Sequence, residues 1–365
     1  MGRNPDLYDP VDNYSLAQEY RFYNPHLQGV TSNEWIVYGI LMPMFGTLSV
    51  LLNILIFIVL ANRNRRQGQN SLFIFLQCLS GYDILVSTLS LFIFSVPTLC
   101  KYFEWNLGYL NEVHPLLMPF LMPFLHMAIT GSDYLNLAAA VERFIALDRN
   151  FRRTKTPHYG CLTRRTLFYC VVILLCTILF NVPLIFEREV ILNANGTLEV
   201  IATSLRFNDI YIKMYRLMAE FLIFKVTTWI SFMILFLSLR DRINFYFKSK
   251  VRKTLTVEHY LELMNSRIIL GINSLFYITN ALPLVISLCH MFLVHLSDDL
   301  SQIANLCLIL NSTFKFFIYV GLSRDFRRSV AELCGKPTSH WTEDEAMSSA
   351  FLDHAKVVTF AQSRG

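Results

Sequence analysis

Long apolar runs recur along most of this chain. Seven of them stand out, at 35–60, 71–98, 115–147, 165–186, 209–239, 267–295 and 299–320. Each is long enough to cross a bilayer as a helix, which takes about 20 apolar residues. The runs are apolar nearly all round, whereas a helix of a water-soluble protein has a single apolar stripe. The pattern therefore predicts an all-α membrane protein, a bundle of seven transmembrane helices.

The composition supports a membrane protein. Apolar residues make up 54% of the 365 positions and charged residues only 16%, with a mean hydropathy of +0.41. An ordinary soluble domain carries about 25% charged residues. The first 30 residues are polar, so no cleavable signal peptide is predicted, and the first span would serve as the signal anchor.

Basic residues are distributed unevenly between the two sets of loops. They are concentrated in the stretches 61–70, 148–165 and 240–267, whereas the 34 residues before the first span contain more acids than bases. Because basic loops stay in the cytoplasm, the N-terminus is predicted outside and the C-terminus inside. This orientation requires an odd number of spans, which agrees with seven. The expected location is the plasma membrane.

The division of the chain follows from these spans. We expect an extracellular tail at 1–34, the transmembrane bundle at 35–320, a short amphipathic cytoplasmic helix at 321–334 and a cytoplasmic tail at 335–365. Asn13 and Asn195 head glycosylation sequons on the predicted outer face. Cys334 follows the amphipathic helix and is a palmitoylation candidate; an unmodified thiol is the alternative.

Four stretches carry recognisable motifs. The third span reads His-x-x-x-Thr-Gly-Ser at 126–132 and Val-Glu-Arg-Phe-Ile-Ala at 141–146, the fourth ends Asn-x-Pro-x-x-Phe-Glu at 181–187, and the seventh contains Asn-Ser-Thr-Phe-Lys-Phe-Phe-Ile-Tyr at 311–319. They resemble the motifs of rhodopsin-like (class A) G-protein-coupled receptors, above all those of invertebrate FMRFamide-type neuropeptide receptors. Lys315 departs from that pattern, because it stands where those receptors have a second asparagine.

The resemblance implies several functional residues. Glu142, Arg143 and Phe144 would form an activation switch with Tyr319 from the seventh span. In that switch the arginine pairs with the carboxylate at rest and is released to meet the G protein. Asn280 and Pro283 in the sixth span would form a hinge. The proline removes a backbone hydrogen bond and so permits a kink.

Lys315 is a charged residue within the seventh predicted span. A charge facing lipid is costly, so its ammonium must face the protein interior or water. The resemblance implies a polar core of Asn53, Asp83, Ser132 and Asn311, where relatives hold a sodium ion. We expect the Lys315 ammonium to pair directly with Asp83 and to take the role of that ion. The alternative is that the lysine extends toward the cytoplasm.

The resemblance also implies the ligand and the partners. The ligand would be a peptide ending in Arg-Phe-amide, whose arginine needs a carboxylate; Glu187, Glu220, Asp298 and Asp299 are the candidates. The partners would be a heterotrimeric G protein, a receptor kinase, arrestin and the bilayer. No cofactor, metal or nucleic acid is expected.

Other readings remain open at this stage. An orphan or chemosensory receptor can share the same fold. Buried charges would also suit an ion-coupled transporter, although no inverted repeat is visible. An intramembrane protease using Asp83 and Asp133 would need other surrounding motifs, so no enzyme activity is expected. The stretches 101–160 and 186–210 contain no cysteine, which excludes the disulfide usual in rhodopsin-like receptors; Cys100 with Cys289 is a possible substitute.

Overall fold

The computed structural model describes residues 30–67, 71–105, 108–151, 159–192, 198–215, 226–248, 257–291 and 297–334. Within these ranges seven helices have 20 residues or more: α1 (Met42–Gln67), α2 (Ser71–Ser90), α3 (His114–Phe151), α4 (Tyr159–Asn181), α5 (Thr227–Lys248), α6 (Val257–Met291) and α7 (Asp298–Leu322). A shorter helix, α8 (Arg324–Leu333), follows α7. The strands β1 (Arg188–Leu192) and β2 (Leu198–Ala202) form an antiparallel hairpin between α4 and α5.

Several helices continue into less regular turns. A short α-helix (Ser32–Glu34) and a π-helical segment (Trp35–Leu41) precede α1, and a π-helical segment (Leu91–Ser95) and an α-helix (Val96–Tyr102) extend α2. A π-helical segment (Tyr109–Val113) leads into α3, and a 3₁₀ helix (Val182–Glu187) follows α4. After β2 come a 3₁₀ helix (Ser204–Phe207) and a short α-helix (Asp209–Tyr211).

The seven-helix prediction is confirmed. Six helical stretches of the described chain are long and apolar enough to cross a membrane. The fifth predicted span, 209–239, lies only partly within the described ranges, and α5 is its described helix.

The helices close into a ring around α3. Neighbours along the chain pack together, α1 on α2 and α2 on α3, and α7 returns to contact α1 and α2. The central helix α3 also packs on α4, α5 and α6. Because lipid is as apolar as the helices, such packing depends on close contact and on interhelical hydrogen bonds, not on removing apolar surface from water. The ring therefore brings side chains of α1, α2, α3 and α7 into one interior.

Two apolar clusters fill this interior, one toward each end of the bundle. The cluster at the α8 end contains Leu79, Leu135, Ile272, Tyr319 and Phe326 among its buried members. The cluster at the hairpin end includes Val86, Met122, Leu125, Val200 and Ile309. Tyr82 packs against both clusters, so its level on α2 is the boundary between them.

One glycine allows α2 and α3 to approach at this boundary. A Cβ atom added to Gly131 would lie 2.1 Å from Cε1 of Tyr82, which is far inside van der Waals contact. The absence of a side chain at Gly131 therefore lets the Tyr82 ring rest against α3. The next residue, Ser132, contacts the polar site of α2 described below.

The junction of α7 and α8 is held by specific contacts. The Ser323 hydroxyl accepts a hydrogen bond from the backbone N–H of Phe326 (3.1 Å), which caps the start of α8. The Phe326 ring stacks on Tyr319 of α7, with 5.4 Å between ring centroids. Arg327 donates from Nη1 to the carbonyl oxygen of Val320 (2.6 Å) at the end of α7, where the helix dipole favours a cation.

Candidate functional site

A buried ion pair joins α2 to α7 between the two apolar clusters. Nζ of Lys315 lies 2.8 Å from Oδ2 of Asp83 and 2.9 Å from Oδ1. Each side chain is only 1% exposed. The direct contact expected from the sequence is thus present, and Lys315 does not extend toward either end of the bundle.

Two hydroxyl groups complete the surroundings of the Asp83 carboxylate. Ser132 of α3 donates to Oδ1 at 3.1 Å, and Ser312 of α7 donates to the same atom at 3.2 Å. Buried charges are tolerated when they are paired and when further hydrogen bonds satisfy the remaining lone pairs. The arrangement therefore links three helices through a single carboxylate.

The network extends from this carboxylate to α1. The side-chain amide of Asn53 donates to the backbone carbonyl of Ser312 at 3.2 Å and to the hydroxyl of Ser49, also at 3.2 Å. Ser87 of α2 in turn donates to the Ser49 hydroxyl at 2.7 Å. Asn53 thus holds α1 against α7.

Asn311 belongs to the expected polar core but makes none of these contacts. Its side chain is buried, and Oδ1 has no hydrogen-bond partner in the described part of the chain. Ser312, which the sequence motif did not single out, binds the carboxylate instead. The signal was available, since Ser312 follows Asn311 in the motif and lies one turn before Lys315.

A second charge pair lies near the end of α3. Nε of Arg143 lies 2.5 Å from Oε2 of Glu142, and Nη2 lies 2.7 Å from Oε1. The hydroxyl of Ser71, at the start of α2, donates to Oε1 of Glu142 at 2.5 Å. The guanidinium is almost completely buried, whereas the carboxylate is partly exposed. Sequence reasoning missed Ser71, because nothing in the local pattern shows that the start of α2 meets the end of α3.

The other two residues of the expected switch, Phe144 and Tyr319, lie on α3 and α7. Phe144 follows the pair on α3 and is half-buried. Tyr319 is buried against Phe326, and its hydroxyl has no hydrogen-bond partner among the described residues. Tyr319 and Lys315 are one helical turn apart, so the same face of α7 carries both.

The expected hinge residues lie within a continuous helix. α6 runs through Pro283 without interruption. The side-chain amide of Asn280 donates to the backbone carbonyl of Phe276 at 3.1 Å, one turn earlier. This bond stays within α6 and ties the hinge region to no neighbouring helix.

The expected ligand carboxylates differ in exposure. Asp299 is exposed near the start of α7. Glu187, another candidate, has a side chain that is 0% exposed and contacts Arg206 and Tyr211. Glu220 and the side chain of Asp298 lie outside the described residues, as do the sequons at Asn13 and Asn195.

The described cysteines are all free thiols. They are Cys78, Cys100, Cys170, Cys176, Cys289, Cys307 and Cys334. Cys100 and Cys289 thus form no bridge here, and Cys334 is exposed after α8. The described residues hold no group of three or more potential metal ligands.

The seven long helices form a bundle with the third helix at its centre. A buried Glu-Arg pair lies near the end of that helix, and a charged core lies between α2 and α7. This arrangement resembles the architecture of G-protein-coupled receptors. Two individual proteins that the chain is similar to are also named as receptors. The chain is 25% identical over 325 residues to the FMRFamide receptor of Drosophila melanogaster, a match that covers 88% of this chain and 57% of that receptor. It is 23% identical over 342 residues to the probable G-protein coupled receptor frpr-1 of Caenorhabditis elegans, covering 88% of this chain and 82% of the relative. The chain matches no family model.

Proposed function

We propose that this chain is a G-protein-coupled receptor for an extracellular neuropeptide, of the FMRFamide-like class that ends in Arg-Phe-amide. The observation that carries the proposal is the Glu142–Arg143 pair, buried near the end of the central helix of a seven-helix bundle. The similarity to two receptors over most of the chain supports the same function. The chain spans 57% of the length of the Drosophila receptor, so that receptor's ligand is transferred only as part of this proposal.

The N-terminus lies outside the cell and the C-terminus inside, in agreement with the distribution of basic residues. The hairpin end of the bundle then faces the ligand, and the Arg143 end faces the G protein. Asp299 is an exposed carboxylate near the start of α7 and would attract the arginine of the peptide, together with Asp298 and Glu220. Acidic groups around an entrance steer cationic ligands toward it.

Activation releases Arg143 from Glu142. A charge-assisted contact of this kind has two arrangements, and a ligand that favours one of them shifts the population. Phe144 and Tyr319 belong to the same switch, and bending of α6 at Asn280 and Pro283 opens the cytoplasmic end of the bundle. Released, Arg143 contributes to the surface that the G protein binds.

The polar core serves as a fixed connection between α2, α3 and α7. The Lys315 ammonium occupies the position of a diffusible cation and neutralises Asp83 from within the chain. Signalling is therefore independent of sodium. Asn53, Ser132 and Asn311 complete this core.

Further partners follow from exposed positions and from the tail. Ser339, Thr342, Ser348 and Ser349 are sites for a receptor kinase, and arrestin would bind the phosphorylated tail. Palmitoylation of Cys334 would anchor the end of α8 to the membrane, and glycans would attach at Asn13 and Asn195.

The proposal is tested in cells that express the chain, with calcium or cAMP as the readout and a library of amidated peptides as the challenge. We expect a response to peptides ending in Arg-Phe-amide and none to the same peptides with a free carboxyl terminus. Arg143→Ala, compared at equal surface expression, should abolish the response and leave peptide binding in place. A response to non-peptide odorants or metabolites alone would favour the chemosensory reading.

The ligand carboxylates have a separate test. Changing Asp298 and Asp299 to Asn should lower the potency of the peptide and leave its maximal response unchanged, because a steering charge acts on binding. An unchanged potency would remove both residues from the ligand site.

A further inference from the structure

The β1–β2 hairpin closes one end of the bundle. Both strands contact α3, and Val200 of β2 is 1% exposed because it is inserted into the apolar cluster at this end. That cluster also contains Phe94 of the α2 extension and Met118 of α3. A ligand entering the bundle from this side meets the hairpin first.

No covalent bond fixes the hairpin to the helices. The chain has no cysteine between 186 and 210, and none between 101 and 160. The seven cysteines whose side chains the structure describes are free thiols. A two-stranded hairpin is only marginally stable on its own, so its position depends on the non-covalent contacts at its base.

Two hydrogen bonds, one from the backbone and one from a side chain, join the two ends of the hairpin. The backbone N–H of Thr203 donates to the carbonyl of Glu187 at 2.9 Å, and the Thr203 hydroxyl donates to the carbonyl of Phe186 at 2.7 Å. The chain before β1 is thus held beside the chain after β2. This places the Glu187 side chain next to the segment that leads away from the hairpin.

The Glu187 carboxylate then binds two residues of that segment. Oε1 accepts a hydrogen bond from the Tyr211 hydroxyl at 2.8 Å, and Oε2 lies 3.6 Å from Nη1 of Arg206. The carboxylate is completely buried and the arginine is 14% exposed. A buried carboxylate with a cation and a hydroxyl donor is strongly held, because removing a partner leaves a charge without compensation.

Tyr211 lies outside the hairpin, in the segment between the hairpin and α5. Tyr211 ends the short helix Asp209–Tyr211, whose start is capped by the Asn208 side chain: Oδ1 accepts from the N–H of Ile210 at 2.9 Å and of Tyr211 at 3.2 Å. The chain runs on from this helix toward α5. The Glu187 carboxylate therefore connects the hairpin to the segment that enters the fifth span.

We propose that Glu187, Arg206 and Tyr211 form a non-covalent brace that holds the hairpin over α3 and couples it to the start of the fifth span, in place of a disulfide. If the proposed function holds, a ligand that displaces the hairpin would also displace Tyr211 at the start of the fifth span. The brace itself, as a contact between Glu187, Arg206 and Tyr211, does not depend on the ligand class or on G-protein coupling.

Hydrogen–deuterium exchange on the full chain in detergent or nanodiscs, without ligand, tests the brace. In Glu187→Ala the amides of β1, β2 and residues 203–211 should exchange roughly tenfold faster, because local opening becomes easier. Glu189→Ala is the matched control, since Glu189 is exposed on β1 and should leave exchange unchanged. Peptides from α1 and α8 should not change in either variant, which separates a local brace from general destabilisation.

Unchanged exchange of the hairpin in Glu187→Ala would overturn the brace. If Glu187→Ala does not reach the membrane, Tyr211→Phe removes one hydrogen bond and keeps both charges. It should accelerate the same amides by a few-fold, and unchanged exchange in this variant would also contradict the brace.

Discussion

Two charge pairs on the described transmembrane helices, Asp83–Lys315 and Glu142–Arg143, are built in opposite ways. Asp83 and Lys315 are distant in sequence and join two helices, with hydroxyls of Ser132 and Ser312 on the same carboxylate. Glu142 and Arg143 are consecutive residues of one helix, and one hydroxyl from another helix adds to them. The first pair is a contact between two helices, whereas the second is a contact within one helix.

This difference assigns a role to each pair. A contact that links α2, α3 and α7 while fully buried suits a permanent part of the fold, because either charge alone inside the bundle is costly. A pair within one helix can open without separating two helices, and water reaches the partly exposed Glu142 carboxylate when it does. The predictions below test this contrast, beginning with the largest expected effect.

Removing one charge of the Asp83–Lys315 pair should severely destabilise the protein. Asp83→Asn leaves the ammonium buried without a counter-charge, and Lys315→Gln leaves the carboxylate with two hydroxyls alone. The loss of a partner in a buried pair costs about 3–5 kcal/mol. Thermal stability in detergent and the amount of folded protein at the cell surface measure this loss.

The double variant Asp83→Asn with Lys315→Gln is the control for that prediction. It removes both charges and keeps amides that can bond to each other and to the two serines, so we expect it to be more stable than either single variant. Single variants as stable as the double variant would show that the pair is not a permanent connection.

Releasing Arg143 should raise signalling in the absence of ligand. Glu142→Gln removes a charge-assisted contact, worth about 1.5–3 kcal/mol, that favours the resting arrangement. Basal second-messenger production at equal surface expression should rise roughly tenfold. Asp241→Asn is the control, because Asp241 and Arg240 are also consecutive and 3.0 Å apart but exposed. Exposed pairs contribute little, so a similar rise in this variant would contradict the prediction.

The fold and part of the site could be predicted from the sequence, because both depend on features visible in it: the length of apolar runs and charged residues within them. Runs of apolar residues predict spans without any tertiary information, and Lys315 with Asp83 could be paired because each charge needs a partner inside the membrane. Ser71 and the partners of Glu187 could not be found in this way. Their contacts join elements whose relative register depends on packing, and hydroxyls and surface loops carry no burial signal in the sequence.

A smaller effect on basal signalling is expected from Ser71→Ala. This change removes the hydroxyl that donates to Oε1 of Glu142 and leaves the Glu142–Arg143 pair intact. A hydrogen bond to a charged group contributes about 1.5–3 kcal/mol, but this one acts on the pair only through Glu142, so its loss should raise basal signalling only a few-fold. Added to Glu142→Gln it should have little further effect, because both changes act on one contact.

Ser80→Ala is the matched control for this prediction. Ser80 is also buried on α2, but its hydroxyl donates to the carbonyl of Leu76 in the same helix. Its removal should leave basal signalling unchanged. Equal effects of the two serine variants would indicate a general loss of α2 stability and no specific role for Ser71.

The smallest expected effect is that of sodium, which should be none. Agonist affinity and thermal stability of the unmodified receptor should be the same when sodium is replaced by choline at constant ionic strength, since the Lys315 ammonium already occupies both oxygens of Asp83. In Lys315→Asn the carboxylate loses that partner, and sodium binding there should stabilise the variant in proportion to the logarithm of its concentration. A clear fall in agonist affinity with sodium in the unmodified receptor would contradict the permanent role assigned to the Asp83–Lys315 pair. A Lys315→Asn variant that choline and sodium stabilise equally would instead show that no cation site remains once the ammonium is removed.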